Sequence, residues 1–463
     1  MFAAEIYSQR RADLKKRLQG GIGLFLGNEE SPMNYLDNTY HFRQDSTFLY
    51  FFGLNTAGMA ALIDLDEDRD IIFGNDLTID DIVWMGTQPT VKDKAARAGV
   101  SDTRPLSQLA AHSAAARRSG RQVHFLPPYR AEQQLQLWKL LDIPPSEQAR
   151  AASVEMIIAV SELRIIKSGE EIAEIEQAVN VSTDMHVAAM RMVRPGLSEA
   201  QVAARVTEIA LAAGGNLGFP VIATINGQTL HNHYHGNTLR SGQLFLLDCG
   251  AEAASGYCGD LSSTFPVSKK FTPRQREIYK VALEAHEAAS AALFPGLNFR
   301  EVHLTACRRI AAGLKDLGLM KGDVDEAVAA GAHAMFFPCG TGHLLGLDVH
   351  DMENLGEVHF GYQGKPKSTQ FGLKSLRLAR PLQPGFVLTI EPGINFIPEL
   401  IDRWRSERKF MEFIEYDRLE AYKDFGGIRN EENYLITADG ARRLGKKKPK
   451  TIAEVEAERM RGI

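Results

Sequence analysis

The chain has 463 residues, of which 44% are apolar and 24% charged, and a formal net charge of −5. The length calls for at least two domains, and the composition is that of an ordinary globular protein. So small a net charge excludes a global field favouring nucleic acid or anionic membrane, and no apolar run approaches the roughly 20 residues of a membrane helix. Four cysteines without a CxxC pair are too few for a disulfide framework. In chain order, the N-terminal MFAAEIYSQRRADLKKRL lacks the apolar core of a secretory signal and carries acids that transit peptides avoid. It reads as a short amphipathic surface helix, and the expected address is cytoplasmic.

Three short runs follow: GIGLFLG (residues 21–27), ALIDL (61–65) and DIIFG (70–74). They favour β structure and end in glycine or aspartate, as strands alternating with helices do, so residues 1–160 read as an α/β domain. Beyond residue 160 the texture changes. Ile172, Ile175, Val179 and Met190 fall near helical spacing, Ser168 and Glu171 make a capping box, and Arg194-Pro195-Gly196 stops the helix. Further helices are expected over 198–213, 273–293 and 299–317. Strand-like QLFLLDCG, GDLSSTFPV, FVLTIEPG and GGIRNEENYLIT lie between and after them, so residues 161–463 read as an α+β domain of antiparallel pairs. The closing GKKKPKTIAEVEAERMRGI carries a basic run without aromatics, which reads as a solvated face.

The carboxylates of this second domain sit where strands end. Asp248 closes an apolar run, and Asp260 opens a Ser/Thr/Phe/Val strand. If AEAASG is the turn, a hairpin brings the two together. Facing carboxylates in an apolar setting repel and resist ionisation unless a cation neutralises them. Glu391 directly follows the strand over 386–390, and Glu431 and Glu432 precede Tyr434, Leu435 and Ile436. Any one such acid reads as a turn cap. Together with His343 in the glycine-rich FFPCGTGHLLGLDVHDM (residues 336–352), they read as a ligand set. Oxygen donors with one imidazole suit Mn²⁺ or Co²⁺ better than a structural Zn²⁺ site.

In this order LLDCG, GYCGDLSSTFPV, GTGHLLGLDVHD, LTIEPG and GGIRNEEN resemble the pita-bread metallopeptidases, the prolidase and Xaa-Pro aminopeptidase branch. HFRQDSTFLYFFGL (residues 41–54) resembles the creatinase/prolidase-type N-terminal domain. The resemblance implies a creatinase/prolidase-type α/β domain before an α+β pita-bread catalytic domain. It implies a dinuclear centre with Asp248, Asp260, His343, Glu391 and Glu431 as metal ligands. Asp260 and Glu431 would bridge, His343 and Glu391 would serve one ion, and Asp248 the other. The ions expected are two divalent cations, Mn²⁺ first, with Co²⁺ or Zn²⁺ as alternatives. His231, seventeen residues before Asp248, and His350, seven after His343, match substrate-side histidines.

Within SLRLARPLQPGFVLTIEPG an LRxAR segment resembles prolidases, in which Arg377 would hold the free carboxylate of a dipeptide. The implied activity is hydrolysis of Xaa-Pro at the imide bond by a hydroxide bridging two cations. Glu391 would accept a proton, His231 and His350 would stabilise the tetrahedral intermediate, and Arg429 would orient a ligand carboxylate. The alternatives are an aminopeptidase acting on longer Xaa-Pro peptides and a non-catalytic pita-bread binding protein. The expected partners are a small peptide substrate and a second copy of the chain in a homodimer, with neither nucleic acid nor membrane. Two departures stand out: Cys339 where relatives commonly carry histidine, and Phe219 near where many have tyrosine.

Overall fold

The structure, a computed structural model, describes residues 2–462; Met1 and Ile463, the outer ends of the two terminal segments, lie outside the described residues. The chain forms two compact units. The first runs through Arg164 and takes in Met352–Phe360; the second holds Ile165–Asp351 and the chain from Gly361 onward. Among the described residues, no helix is long and apolar enough to cross a membrane.

In the first unit the N-terminal segment is a helix, Ala4–Lys15, yet it buries Tyr7, Arg10, Arg11 and Leu14. Arg11 is 1% exposed; its Nε donates to Asp70 Oδ2 at 2.7 Å and its Nη1 to the Phe51 carbonyl at 2.8 Å. Strands β1 (Ile22–Leu26), β2 (Ala60–Asp64), β3 (Arg69–Phe73), β4 (Asp102–Arg104) and β5 (Val123–His124) form one sheet in the order β4-β3-β2-β1-β5. The three runs read from sequence supply its centre, paired antiparallel; β4 and β5 join in parallel. Helix Ser46–Phe52 starts where Asp45 accepts from Phe48 N–H and stops at Gly53, left-handed at φ 63°. A Cβ there would lie 2.2 Å from the Tyr7 ring, so only glycine allows the first helix to close over this one. Helix Val154–Ile165 runs through Val160 and is followed by the capping box of Ser168 and Glu171.

The second unit contains β6 (Asn216–Leu217), β7 (Ile222–Thr224), β8 (Leu244–Cys249), β9 (Ala251–Glu252), β10 (Leu261–Pro266), β11 (Val387–Ile390), β12 (Gly393–Asn395), β13 (Gly427–Arg429), β14 (Glu432–Thr437) and β15 (Gly440–Arg443). Its sheets are β10-β8-β7, β11-β14-β15, β12-β13 and β6-β9, every pair antiparallel. Helices Gly169–Met192, Glu199–Ala212, Pro273–Ala291 and Phe299–Asp316 turn Met185, Val206, Tyr279 and Ile310 into a core shared with Phe245, Phe265 and Ile428 of the strands. Each such side chain contributes about 1.5–3 kcal/mol on burial, which fixes the strands rigidly enough to carry charge at their ends.

The C-terminal basic run is the expected solvated face at the exposed Lys446 and Lys447 but departs from it at Lys448. Lys448 is 1% exposed, and its Nζ donates to the Ser262 carbonyl at 2.5 Å and to Ser263 Oγ at 2.9 Å. Lys450 Nζ pairs with Glu432 Oε2 at 2.6 Å. Burial pushes the Lys448 ammonium down to about 8 against the pull of Glu432 and Glu431. A charge pattern counts lysines; it does not reveal the acceptors that β10 offers on its underside.

Replacing Arg11 with methionine keeps its length but removes the donor to Asp70 Oδ2 and the Phe51 carbonyl, leaving Asp70 only its pair with Lys15. The expected cost is about 2 kcal/mol, seen as a lower melting temperature. An unchanged melting curve would remove this pair from the frame of the first unit.

Candidate metal centre

Two ladders end at one place. β8 and β10 set Ser262 opposite Asp248, so these side chains and that of Asp260, two residues earlier, share one face. β11 and β14 set Ile390 opposite Glu432, and one step further along brings Glu391 opposite Glu431. The glycine-rich segment runs along the other edge of β11. Leu345 N–H donates to the Val387 carbonyl at 3.0 Å, Thr389 N–H to His343 at 2.9 Å and Glu391 N–H to Thr341 at 2.7 Å. Gly342 is required by this approach, since a Cβ would stand 2.0 Å from the Thr389 carbonyl oxygen. Glu431 is tied to β10 as well, through its N–H to the Ser262 carbonyl at 3.1 Å.

His343 Nε2 lies 3.4 Å from Asp260 Oδ2 and 3.4 Å from Glu391 Oε1. Donor atoms of Asp260, His343 and Glu431 lie within 4.8 Å of one another. Asp248 joins through Arg429, whose Nη2 pairs with its carboxylate while Nε donates to Ser262 Oγ at 2.9 Å. Ser262 Oγ in turn donates to Glu431 Oε2 at 2.8 Å. The five residues are thus brought together, with Glu391 the most open at 18% side-chain exposure.

Whether they fit metal ions is answered by what they leave unsatisfied. Asp248 Oδ1, Asp260 Oδ1 and Glu431 Oε1 are buried without a hydrogen-bond partner. Each such oxygen is costly unless a cation meets it. His343 Nδ1 lies 3.0 Å from the Leu344 carbonyl, which can only accept, so Nδ1 bears a proton and Nε2 is the nitrogen turned to the acids, free to ligate a cation. Burial, then Asp248 and Glu391, raise the Asp260 carboxyl well above its usual range; burial, then Asp260, does the same to Glu431. Burial alone would depress the Arg429 guanidinium, but Asp248 and the other acids hold it above its ordinary value. Oxygen donors with one imidazole lone pair are the set a divalent cation takes. The residues fit.

The remaining candidates surround this centre unevenly. The His350 ring sits 4.1 Å from that of His343, and the buried Lys167–Asp351 pair, 2.8 Å apart, pins the next residue. His231 is exposed in the segment between β7 and β8. Arg377 is half-buried, and its positive charge reaches Cys339. The residue before it packs on the glycine-rich segment, Leu376 Cα being 3.3 Å from the Cβ position of Gly340. Burial and then Glu391 push the Cys339 thiol up to about 12, so it stands near the acids as a neutral group. Phe219 lies against Gly250, 3.1 Å from where a Cβ would be. Sequence reading missed Ser262, which links Arg429 to Glu431, and Lys448 behind it. The signal was present: two adjacent serines inside a strand whose residues are all buried.

The second unit matches the family model "Metallopeptidase family M24" over residues 173–438, and the first matches "Aminopeptidase P, N-terminal domain" over residues 7–124. The chain is 29% identical to the Xaa-Pro dipeptidase of Homo sapiens over 95% of its own length and 88% of the relative's. It is 30% identical to the Xaa-Pro aminopeptidase of Escherichia coli strain K12 over 97% of its length and 96% of the relative's. Among solved structures, a histidine-to-alanine variant of Escherichia coli aminopeptidase P superposes with a TM-score of 0.82 at 27% identity, covering 99% of this chain and 98% of that one.

A carboxyl whose pKa is raised on folding binds more protons folded than unfolded, so stability falls as pH rises from the ordinary carboxylate range toward the raised value. With metal chelated, the wild type is expected to lose thermal stability across that rise. Asp260→Asn should soften the loss, raise the melting temperature of the chelated form and abolish the gain that Mn²⁺ gives the wild type. A D260N protein still stabilised by Mn²⁺ to the wild-type extent would contradict this account of the centre.

Proposed function

The chain belongs to metallopeptidase family M24 and is a metallopeptidase of the Xaa-Pro dipeptidase and aminopeptidase P kind, and from that premise we propose that it cleaves Xaa-Pro dipeptides at the imide bond. The observation that carries the reading is the convergence of buried, partnerless carboxylate oxygens around His343 Nε2. Asp248, Asp260, His343, Glu391 and Glu431 would hold two divalent cations, Mn²⁺ foremost. When bound, the ions supply Lewis acidity toward a carbonyl and toward water.

The chain's own residues do the rest. Xaa-Pro is a tertiary amide without an N–H, and proline fixes its φ, so the extended docking of general peptidases is lost. Recognition must come from the ends of the substrate. Arg377 offers a rigid pair of donors to a free C-terminal carboxylate, which selects a dipeptide. Glu391, the most open of the acids, takes the proton of the attacking water at a carboxylate oxygen; Thr389 Oγ1, 3.4 Å away, flanks it. His350, its ring 4.1 Å from that of His343, and the exposed His231 donate to the oxyanion that develops at the scissile carbonyl. Arg429 keeps Asp248 oriented and does not touch substrate. A cytoplasmic homodimer completes the proposal.

A second reading, an aminopeptidase acting on longer peptides, is favoured by the likeness to Escherichia coli aminopeptidase P over 99% of the chain. Ala-Pro, its C-terminal amide and Ala-Pro-Ala, each assayed with Mn²⁺, separate the two. The dipeptidase reading expects Ala-Pro to be cleaved best, with Arg377→Ala lowering its kcat/KM by roughly 50-fold and leaving the amide little changed. Equal cleavage of all three substrates would transfer the chain to the second reading.

Cys339 bears on efficiency. A thiol cannot supply the imidazole hydrogen bond that relatives have there, so Cys339→His is expected to raise kcat on Xaa-Pro by roughly 10-fold. Unchanged kinetics would reduce Cys339 to a packing residue.

A further inference from the structure

A second group of ligand-type side chains lies outside the carboxylate centre. His303 and Cys307 stand one turn apart on helix Phe299–Asp316, and His333 comes from the 3₁₀ turn Ala332–Met335. One donor atom from each lies within 4.8 Å of the others, and all three residues are 0% exposed. A spacing of four puts the first two on one helix face. His303 Nε2 is 3.4 Å from Cys307 Sγ, while its Nδ1 is 2.9 Å from Thr341 Oγ1. One nitrogen turned to a soft donor and the other fixed by a hydroxyl is how a metal-ligating imidazole is held. His333 has no hydrogen bond of normal geometry at either ring nitrogen, only a weaker backbone interaction with Val328 that can engage one of the two. A fully buried imidazole in that state is unusual and points to a missing partner.

We propose that His303, Cys307 and His333 form a binding site for a soft monovalent cation, Cu⁺ foremost, separate from the catalytic acids. Charge selects the ion. Two neutral imidazoles and one thiolate carry a single negative charge, which a monovalent cation cancels. A divalent one would leave net charge buried beside the Phe337 ring, whose centroid is 5.6 Å from that of His303. A three-coordinate set of two nitrogens and one sulfur also suits a soft ion. Burial supports this by holding His303 down to about 3 and His333 to about 4, so both present lone pairs at neutral pH. It also raises the Cys307 thiol, so uptake forms the sulfur–copper bond as Sγ–H releases its proton to solvent, with no electron transferred.

The site does not depend on the peptidase reading, and its test does not use activity. Protein carrying Mn²⁺ is titrated anaerobically with Cu⁺ against a chromophoric chelator. The wild type is expected to retain about one equivalent, and Cys307→Ser and His333→Gln to bind at least roughly tenfold more weakly with unchanged circular dichroism. Asp260→Asn should retain it, and X-ray absorption at the copper edge should show a sulfur neighbour in the wild type that Cys307→Ser lacks. If Cys307→Ser does not fold, His333→Gln decides. No retained Cu⁺, equal affinity in wild type and both variants, or loss in D260N alone would overturn the proposal.

Discussion

Mutual repulsion of carboxylates in a small buried volume is the constraint to which the second unit is built. Two like charges 4 Å apart cost about 4 kcal/mol at an effective dielectric near 20, against a net stability of about 5–15 kcal/mol for a whole domain. Asp248, Asp260, Glu391 and Glu431 impose several such terms at once. The fold meets them in two ways. Arg429 lies among the acids, paired with Asp248, and the carboxyls of Asp260 and Glu431 hold their protons well above the usual carboxylate range. What remains unbalanced is the set of partnerless oxygens, which cations would satisfy.

The same constraint explains why the acids stand at strand ends. A charge inside a ladder would be buried on both sides; on a loop it would swing away from its neighbours. Register does the positioning, since Ser262 opposite Asp248 and Ile390 opposite Glu432 leave the acids little freedom. The edge of β11 then captures the glycine-rich segment, and the absence of a side chain at Gly342 lets His343 approach. Lys448 belongs to this frame, because its hydrogen bonds to Ser262 and Ser263 occupy acceptors on the buried side of β10.

What could be read from sequence follows from the range of each interaction. The long helices were legible because periodicity and caps are local: Pro273–Ala291 and Phe299–Asp316 begin where they were expected. The acids were legible because an acid ending an apolar run is anomalous within a few residues of itself. Contacts between distant segments were not. Ser262 reads as one more strand serine until Arg429 and Glu431 reach it, and Lys448 reads as part of a basic tail until β10 is laid beneath it. The helix-like N-terminal segment hid its burial in the same way, since Arg11 becomes a core residue only through Asp70 and Phe51. His303, Cys307 and His333 share no motif, and only the packing of a helix against a 3₁₀ turn unites them.

On the proposed reading, chemistry and selectivity occupy different parts of the unit. Relatives named for dipeptidase and for aminopeptidase activity stand at nearly the same distance from this chain, 29% and 30% identical. A ligand set dictated by electrostatics tolerates little variation, so differences in substrate length among such proteins have to arise beyond it. In this chain the residues proposed for recognition lie outside the acid set: His231 on an exposed segment, Arg377 next to the residue packed over Gly340, and Cys339 four residues before His343. On the proposed reading, substitution there would alter what is recognised, whereas substitution among the acids would disturb folding and chemistry together.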